Sequence, residues 1–345
     1  MNKSIFFGIL GLIAGAILIV LSIVIIRGDF TKLNSKNAGS KYNKFEYECS
    51  GSIDEIDIKE LSETIEIVVK NVDRPAIEYW CREGQEDKAE ITEKGGKLTF
   101  TRSHENISFN IGFNFDDTHT ILTLPEDYQG PMSISTNSGS IKADEIKNKD
   151  VLYLKATSGS IKAGNIEATE LTVKANSGSI SLKDVKCSGN VEIGNTSGSI
   201  TLESISADGD LKAENNSGSI KMTDIACGDL SAKNASGGAS ITNAECGKLD
   251  GECNSGSLHL TSVNAQSING KTTSGSIKID GIAADEIVLK AKSGGVKGSI
   301  KGSESDYSIL CSTGSGSSNL DSKRDGDKSL DVTTTSGSVK ITFDK

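Results

Sequence analysis

The chain has 345 residues, a net charge of −10, 5 % aromatic side chains, 37 glycines and only 3 prolines. Such an acidic balance excludes non-specific nucleic-acid binding. Seven cysteines, an odd number with no CxxC or Cys/His cluster, speak against both a disulfide framework and a zinc site.

Residues 1–4 are a short tail before Ile5–Ile26, a run of 22 residues without a charge, long enough to span a bilayer as a helix. Gly8, Gly11 and Gly15 are tolerated in membrane helices. Ile23-Val24-Ile25-Ile26-Arg27 offers no small-residue cleavage site, so an uncleaved single-pass anchor is expected rather than a signal peptide. Lys3 on one flank faces Arg27, Lys32, Lys36 and Lys41 on the other. Taken alone, the positive-inside rule favours a cytoplasmic repeat region, but large domains translocate largely regardless of flanking charge, and the sequence leaves both topologies open. Residues 27–41 read as a polar tether. Their Arg27-Gly28-Asp29 tripeptide abuts the membrane, where a receptor has no access, and reads as chance.

Residues 42–135 are strand-like but aperiodic, as in Ile65-Glu66-Ile67-Val68-Val69, Ala76-Ile77-Glu78-Tyr79-Trp80 and Thr120-Ile121-Leu122-Thr123-Leu124. Most of the aromatic content lies here, including the single tryptophan, Trp80. A segment of this kind is expected to supply irregular early coils and a cap, because an open end would expose core and unpaired strand edges.

Residues 136–345 are a repeat array. Ser-Gly-Ser-Ile or a close variant is centred on Gly139, Gly159, Gly178, Gly198, Gly218, Gly275 and Gly337, with weaker copies at Gly237, Gly256, Gly294 and Gly316. From Gly139 to Gly294 the glycine spacing is 20, 19, 20, 20, 19, 19, 19 and 19 residues, a period that marks a solenoid. Two residues after each glycine runs an apolar column (Ile141, Ile161, Ile180, Ile200, Ile220, Ala239, Leu258, Ile277, Val296), and a second follows two residues later (Ala143 to Ile279). Alternation with polar residues is the period of a strand. A third column runs from Ile146 to Ile282, and pairs such as Leu152 and Leu154 precede the next glycine. Two or three short strands per repeat, separated by tight turns, predict an all-β parallel β-helix with coils about 4.8 Å apart. The turn glycines are expected to supply a positive φ, with the flanking serines satisfying turn backbone. Proline would remove a ladder bond, and Pro75, Pro125 and Pro131 all precede the regular repeats.

Cys187, Cys227 and Cys246 share a column nine residues after the glycines with Asn148, Ala168, Ala207, Ala265 and Ala284. They read as small buried hydrophobes, although Cys227 and Cys246 fall on adjacent coils, near enough for a bridge to be considered. Three residues after the glycines, Lys142, Lys162, Lys221, Lys278 and Lys297 form an outward row. The row is open to two readings, a polyanion-facing surface or solvation and edge protection. Asp144, Asp184, Glu203, Asp224 and Asp280 read as solvated turn residues, and His104, His119 and His259 are too dispersed to suggest a ligand set. No cofactor, metal or catalytic residue is indicated. Neither a Gly-Gly-x-Gly-x-Asp calcium repeat nor a regular Thr-x-Thr ice-binding face is present.

With its Ser-Gly-Ser-Ile turns, the segment Thr123-Leu124-Pro125-Glu126-Asp127-Tyr128 before them and the Gly96-Lys97-Leu98 strand, the chain resembles the bacterial putative-adhesin domain family of unknown function. The resemblance covers roughly residues 45–345. It implies a right-handed β-helix, envelope association and an extracytoplasmic solenoid, and it brings no catalytic residues.

The leading functional expectation is a membrane-anchored, non-catalytic surface or envelope protein that contacts wall polymers or other envelope proteins. A membrane-tethered, self-assembling scaffold is the alternative. A polysaccharide-acting enzyme is remote, because such chemistry needs paired carboxylates and cationic or aromatic groups to position sugars. After Pro131 the only arginine is Arg324 and the only aromatics are Tyr153, Tyr307 and Phe343.

Overall fold

The computed structural model describes residues 42–82, 89–102 and 119–344. The predicted anchor at 5–26, the tether at 27–41 and His104 lie outside the described residues. Among the described residues no helix is long and apolar enough to cross a membrane. The chain divides into two units, Lys44–Cys81 with Gln85–Lys345, and Met1–Asn43 with Arg82–Gly84; the architecture below is that of the first.

It is an all-β solenoid. Strands that precede each glycine, among them Val151–Ala156, Glu170–Ser177 and Val191–Ser197, stack in parallel register as one wall. Strands that follow it, such as Ile161–Ala168, Ile180–Cys187 and Ile200–Ala207, stack as another. A bend divides each of the latter strands, so the pairs Ile166 with Val185 and Ala168 with Cys187 build a third wall. The three apolar columns face inward: Ile141, Ile161, Ile180, Ile200, Ile220, Leu258 and Ile277 are buried, as are the columns ending at Ile279 and Ile282. Column residues pair with their own kind on the next coil, as in Ile180 with Ile200 with Ile220, so every coil covers the apolar floor of its neighbour.

The glycine corner works differently from the expectation. Of the corner glycines, only Gly198, Gly218 and Gly237 take a positive φ, at 126°, 114° and 137°. Gly139, Gly159, Gly178, Gly256, Gly275, Gly294 and Gly337 do not. What all share is close approach. A Cβ on Gly159, Gly178, Gly256, Gly275 or Gly294 would collide with the carbonyl oxygen of the corner glycine one coil earlier, and one on Gly139 with that of Glu63. Glycine is needed because backbones stack there without room for a side chain. The three with positive φ each follow a buried asparagine by three residues, and Asn195, Asn215 and Asn234 donate Nδ2 to the carbonyls of Gly178, Gly198 and Gly218 at 2.8 Å. In other coils a threonine hydroxyl binds the corner locally, Thr272 to Gly275 O at 2.8 Å and Thr334 to Gly337 O at 2.7 Å.

Positive φ recurs instead at the bend within the post-glycine strands. Glu145, Asn165, Asp184, Ser204, Asp224, Asn243 and Ser262 have φ between 51° and 58°, and Gly281 continues the column at 59°. Asn, Asp and Gly tolerate this left-handed region best, which explains their number here.

At both ends, order in space departs from order in sequence. Glu55–Glu60 lies between Lys97–Arg102 on its outer side and Met132–Thr136 on its inner side. Thr64–Lys70 likewise lies between His119–Pro125 and Ile141–Asp144. The outer strands are covered in turn by antiparallel partners, Ala89–Lys94 on Lys97–Arg102 and Ala76–Arg82 on His119–Pro125. At the other end Lys328–Thr334 inserts between Glu286–Ala291 and Tyr307–Thr313, and Val339–Asp344 pairs with Val296–Lys301. The corner glycines therefore stack as Gly294, Gly337, Gly316. Asn319 closes the free edge of Val339–Asp344, accepting from Ile341 N at 3.0 Å and donating to Ile341 O at 2.7 Å. This pairing covers the edges of Lys97–Arg102, His119–Pro125 and Val339–Asp344 that would otherwise be open to another strand.

Candidate interaction surface

The row expected three residues after the glycines is a true column in space. Its register runs Lys142, Lys162, Ser181, Thr201, Lys221, Ser240, His259, Lys278, Lys297 and then Lys340. It is not uniformly cationic. Lys142 and Lys162 are adjacent at one end, Lys221 stands alone between Thr201 and Ser240, and Lys278, Lys297 and Lys340 are consecutive at the other. Lys340 stands three residues after Gly337 and fits the same count, but only the inserted last coil places it directly beside Lys297.

Elsewhere on the walls, lysines meet carboxylates. Lys183 reaches Glu203 at 2.8 Å, Lys174 reaches Glu192 at 3.2 Å and Lys328 reaches Asp285 at 3.1 Å, each on another coil. Lys212 and Lys248 pair along their own strands with Glu214 and Asp250. Exposed pairs of this kind are screened by solvent and contribute little, so they tidy the surface rather than hold the fold. His259, one coil from Lys278, is held below the usual histidine range by partial burial and then by the Lys278 charge.

Of the acids singled out in the sequence, Asp144, Glu203, Asp224 and Asp280 are occupied. Asp144 Oδ1 accepts from Asn165 Nδ2 at 2.8 Å and from Glu145 N at 3.0 Å. Asp224 accepts from Asn243, and Glu203 from Lys183. Asp280 lies 3.5 Å from the Ser299 hydroxyl. No two of them are held as an isolated acid and base.

Sequence reasoning missed a buried ion pair near the other end. Arg102 Nε donates to both oxygens of Glu60, at 2.9 and 3.0 Å, and the same carboxylate takes the Thr120 hydroxyl and the Leu61 N–H. The guanidinium lies against the rings of Tyr79 and Phe100, 5.8 and 5.7 Å from their centroids. With its acceptors filled, Glu60 ties the outermost strand to the next one and is not poised for chemistry. The signal was absent from the sequence because the pair spans 42 residues outside any period.

Cys227 and Cys246 are free thiols on adjacent coils and are not bridged. Cys187 is buried as expected, whereas Cys227 and Cys246 are only partly covered. Burial pushes the Cys187 thiol up to about 11, Cys253 to about 11 and Cys227 to about 12. Since the thiolate is the reactive form, native protein at pH 8 should leave Cys187 and Cys253 unmodified by iodoacetamide, while denatured protein is alkylated at both. Peptide mass mapping checks this, and native labelling of Cys187 at the denatured rate would contradict the packing.

The solenoid has structural counterparts at low identity. It is similar to a putative adhesin from Bacteroides fragilis (12 % identity, 88 % of this chain and 98 % of that one, TM-score 0.35). It is also similar to a putative cell adhesion protein from Clostridium sporogenes (12 % identity, 88 % and 100 %, TM-score 0.27). A third is a putative lipid binding protein from Parabacteroides distasonis (15 % identity, 89 % and 98 %, TM-score 0.33). No curated protein matches the chain. One family model matches it twice, over residues 53–215 and 208–345, and by that match the chain belongs to the Toastrack family, DUF4097.

Proposed function

We propose that this protein is an adhesin-like, non-catalytic surface component, anchored in the bacterial membrane by residues 5–26, whose solenoid walls contact envelope polymers or other envelope proteins outside the cytoplasm. The observation that carries the reading is the construction of the walls: inward columns are mainly aliphatic, while outward positions repeat Ser, Asn, Lys and Glu coil after coil. A regular polar face suits extended contact with a repeating partner. The uncharged run at 5–26 is the length of a bilayer span. Hydrogen-bonded turn acids and a saturated Glu60 favour binding over catalysis.

The alternative of a self-assembling scaffold is opposed by one feature, the antiparallel strands and the Asn319 side chain that close the terminal edges. End-to-end stacking would have to displace them.

Topology tests the proposal directly. Protease added to intact cells carrying a C-terminally tagged protein is expected to remove the tag. A tag that survives until the cells are lysed would overturn the surface role and leave an internal membrane-tethered scaffold as the better reading.

A further inference from the structure

We infer that Lys278, Lys297 and Lys340 form a binding ladder for a linear, phosphate-bearing polyanion. This inference rests on the proposed surface role and names the ligand class for one stretch of the wall.

Three exposed ammonium side chains occupy the same register position on three consecutive coils. At about 4.8 Å per coil their Cα atoms span roughly 10 Å. Like charges directly opposite on neighbouring strands are destabilising; facing lysine pairs recur at Lys142 with Lys162, Lys155 with Lys174 and Lys271 with Lys290, but among the described strands a run of three is confined to Lys278, Lys297 and Lys340. Among the described residues none of the three makes an ion pair within 4.0 Å, as is also true of Lys142, Lys162 and Lys221, whereas Lys174, Lys183, Lys290 and Lys328 each have a carboxylate partner on another coil.

The surroundings narrow the ligand. Lys278, Lys297 and Lys340 share a groove with His259, Thr261, Asp280, Thr342 and Asp344. Asp280 lies two residues beyond Lys278 on the same face and is engaged with Ser299, while Asp344 is in register with Lys301. These carboxylates leave the lysine column itself as the cationic line. Lysine binds phosphate as a point charge, without the planar fork by which arginine selects a single carboxylate or phosphate. A line of point charges, one per coil, therefore matches a ligand whose charge repeats along its length. A bilayer would meet the acidic flanks along with the lysines, and it fits less well.

The test uses the full chain in detergent micelles and fluorescently labelled linear inorganic polyphosphate, with binding read by anisotropy. Wild-type protein is expected to bind and Lys297→Glu to weaken binding about tenfold, with Lys340→Glu behaving similarly. Lys221→Glu carries the same change of charge in the same column but away from the ladder, and is expected to change affinity less than about twofold. Unchanged thermal unfolding of each variant secures the comparison. Equal losses from Lys297→Glu and Lys221→Glu would reduce the effect to net charge and overturn the ladder. So would absence of wild-type binding, or preference for phosphatidylglycerol vesicles over polyphosphate. A protein that reaches the cell surface yet ignores polyphosphate refutes the ladder alone, whereas one that stays inside refutes the surface role and leaves this binding measurement intact.

Discussion

Replacing Gly178 with alanine is expected to destabilise the solenoid by about 3 kcal/mol or more, as steric strain with no room to relax. The added methyl would meet the carbonyl oxygen of Gly159 directly, and the backbone flanking that carbonyl is tied to both neighbouring coils, Ser158 N–H to Asn137 O at 2.8 Å and Ile161 N–H to Ser179 O at 2.9 Å. Gly178 has no positive φ, so the whole cost comes from close approach. At Gly218, where φ is 114° and the carbonyl of Gly198 lies in the same path, alanine is expected to cost more, because conformational strain adds to the clash. Gly194→Ala is the control. Its new Cβ would meet only the flexible side chain of Lys174, at 3.8 Å, and removal of glycine there is expected to be neutral or stabilising by up to about 1 kcal/mol. Urea unfolding followed by circular dichroism separates the three. Equal tolerance of Gly178→Ala and Gly194→Ala would show that the corner is not filled by stacked backbone.

That contrast also marks what could be read before the structure. Inward columns were legible because a parallel β-helix repeats one environment per coil, and Ile, Leu, Val and Ala recur at it. The corner glycines were legible as positions but not in their cause. Sequence marks them as glycine without distinguishing a dihedral need from a steric one, and the positive dihedrals sit mainly at the Asn165, Asp184, Asp224 and Asn243 column. That column carried its own signal in its Asn and Asp content, easily passed over as ordinary turn polarity. The order of the terminal coils was not legible at all. Gly294, Gly316 and Gly337 fit any neighbouring corner equally well by local pattern, and only side-chain details such as the Asn319 edge closure distinguish the stacking orders. That Lys340 lies directly beside Lys297 was hidden for the same reason.

Replacing Ile200 with aspartate is expected to be the most damaging single change in the regular coils. Ile200 is fully buried between Ile180 and Ile220 on the coils to either side. The change removes roughly 2 to 3 kcal/mol of apolar burial and places an unpaired carboxyl among aliphatic neighbours, which costs several kcal/mol more when ionised. The damage should depend on pH in a defined direction. Burial favours the neutral acid and raises its folded-state pKa above the unfolded value of about 3.9. The unfolded chain then binds fewer protons than the folded one in that window, and stability falls as pH rises through it. Ile200→Asp is thus expected to be closer to wild type at pH 4 than at pH 8. Lys221→Asp, one coil away at an exposed position, is expected to shift stability by no more than about 0.5 kcal/mol. Because a solenoid can lose coils locally, the loss at Ile200 should appear first as protease-sensitive sites in the flanking coils 180–220, before the ends come apart. Limited proteolysis read by mass spectrometry would locate those sites. Cleavage confined to the termini, or equal thermal stability of the two variants, would be incompatible with an inward Ile200.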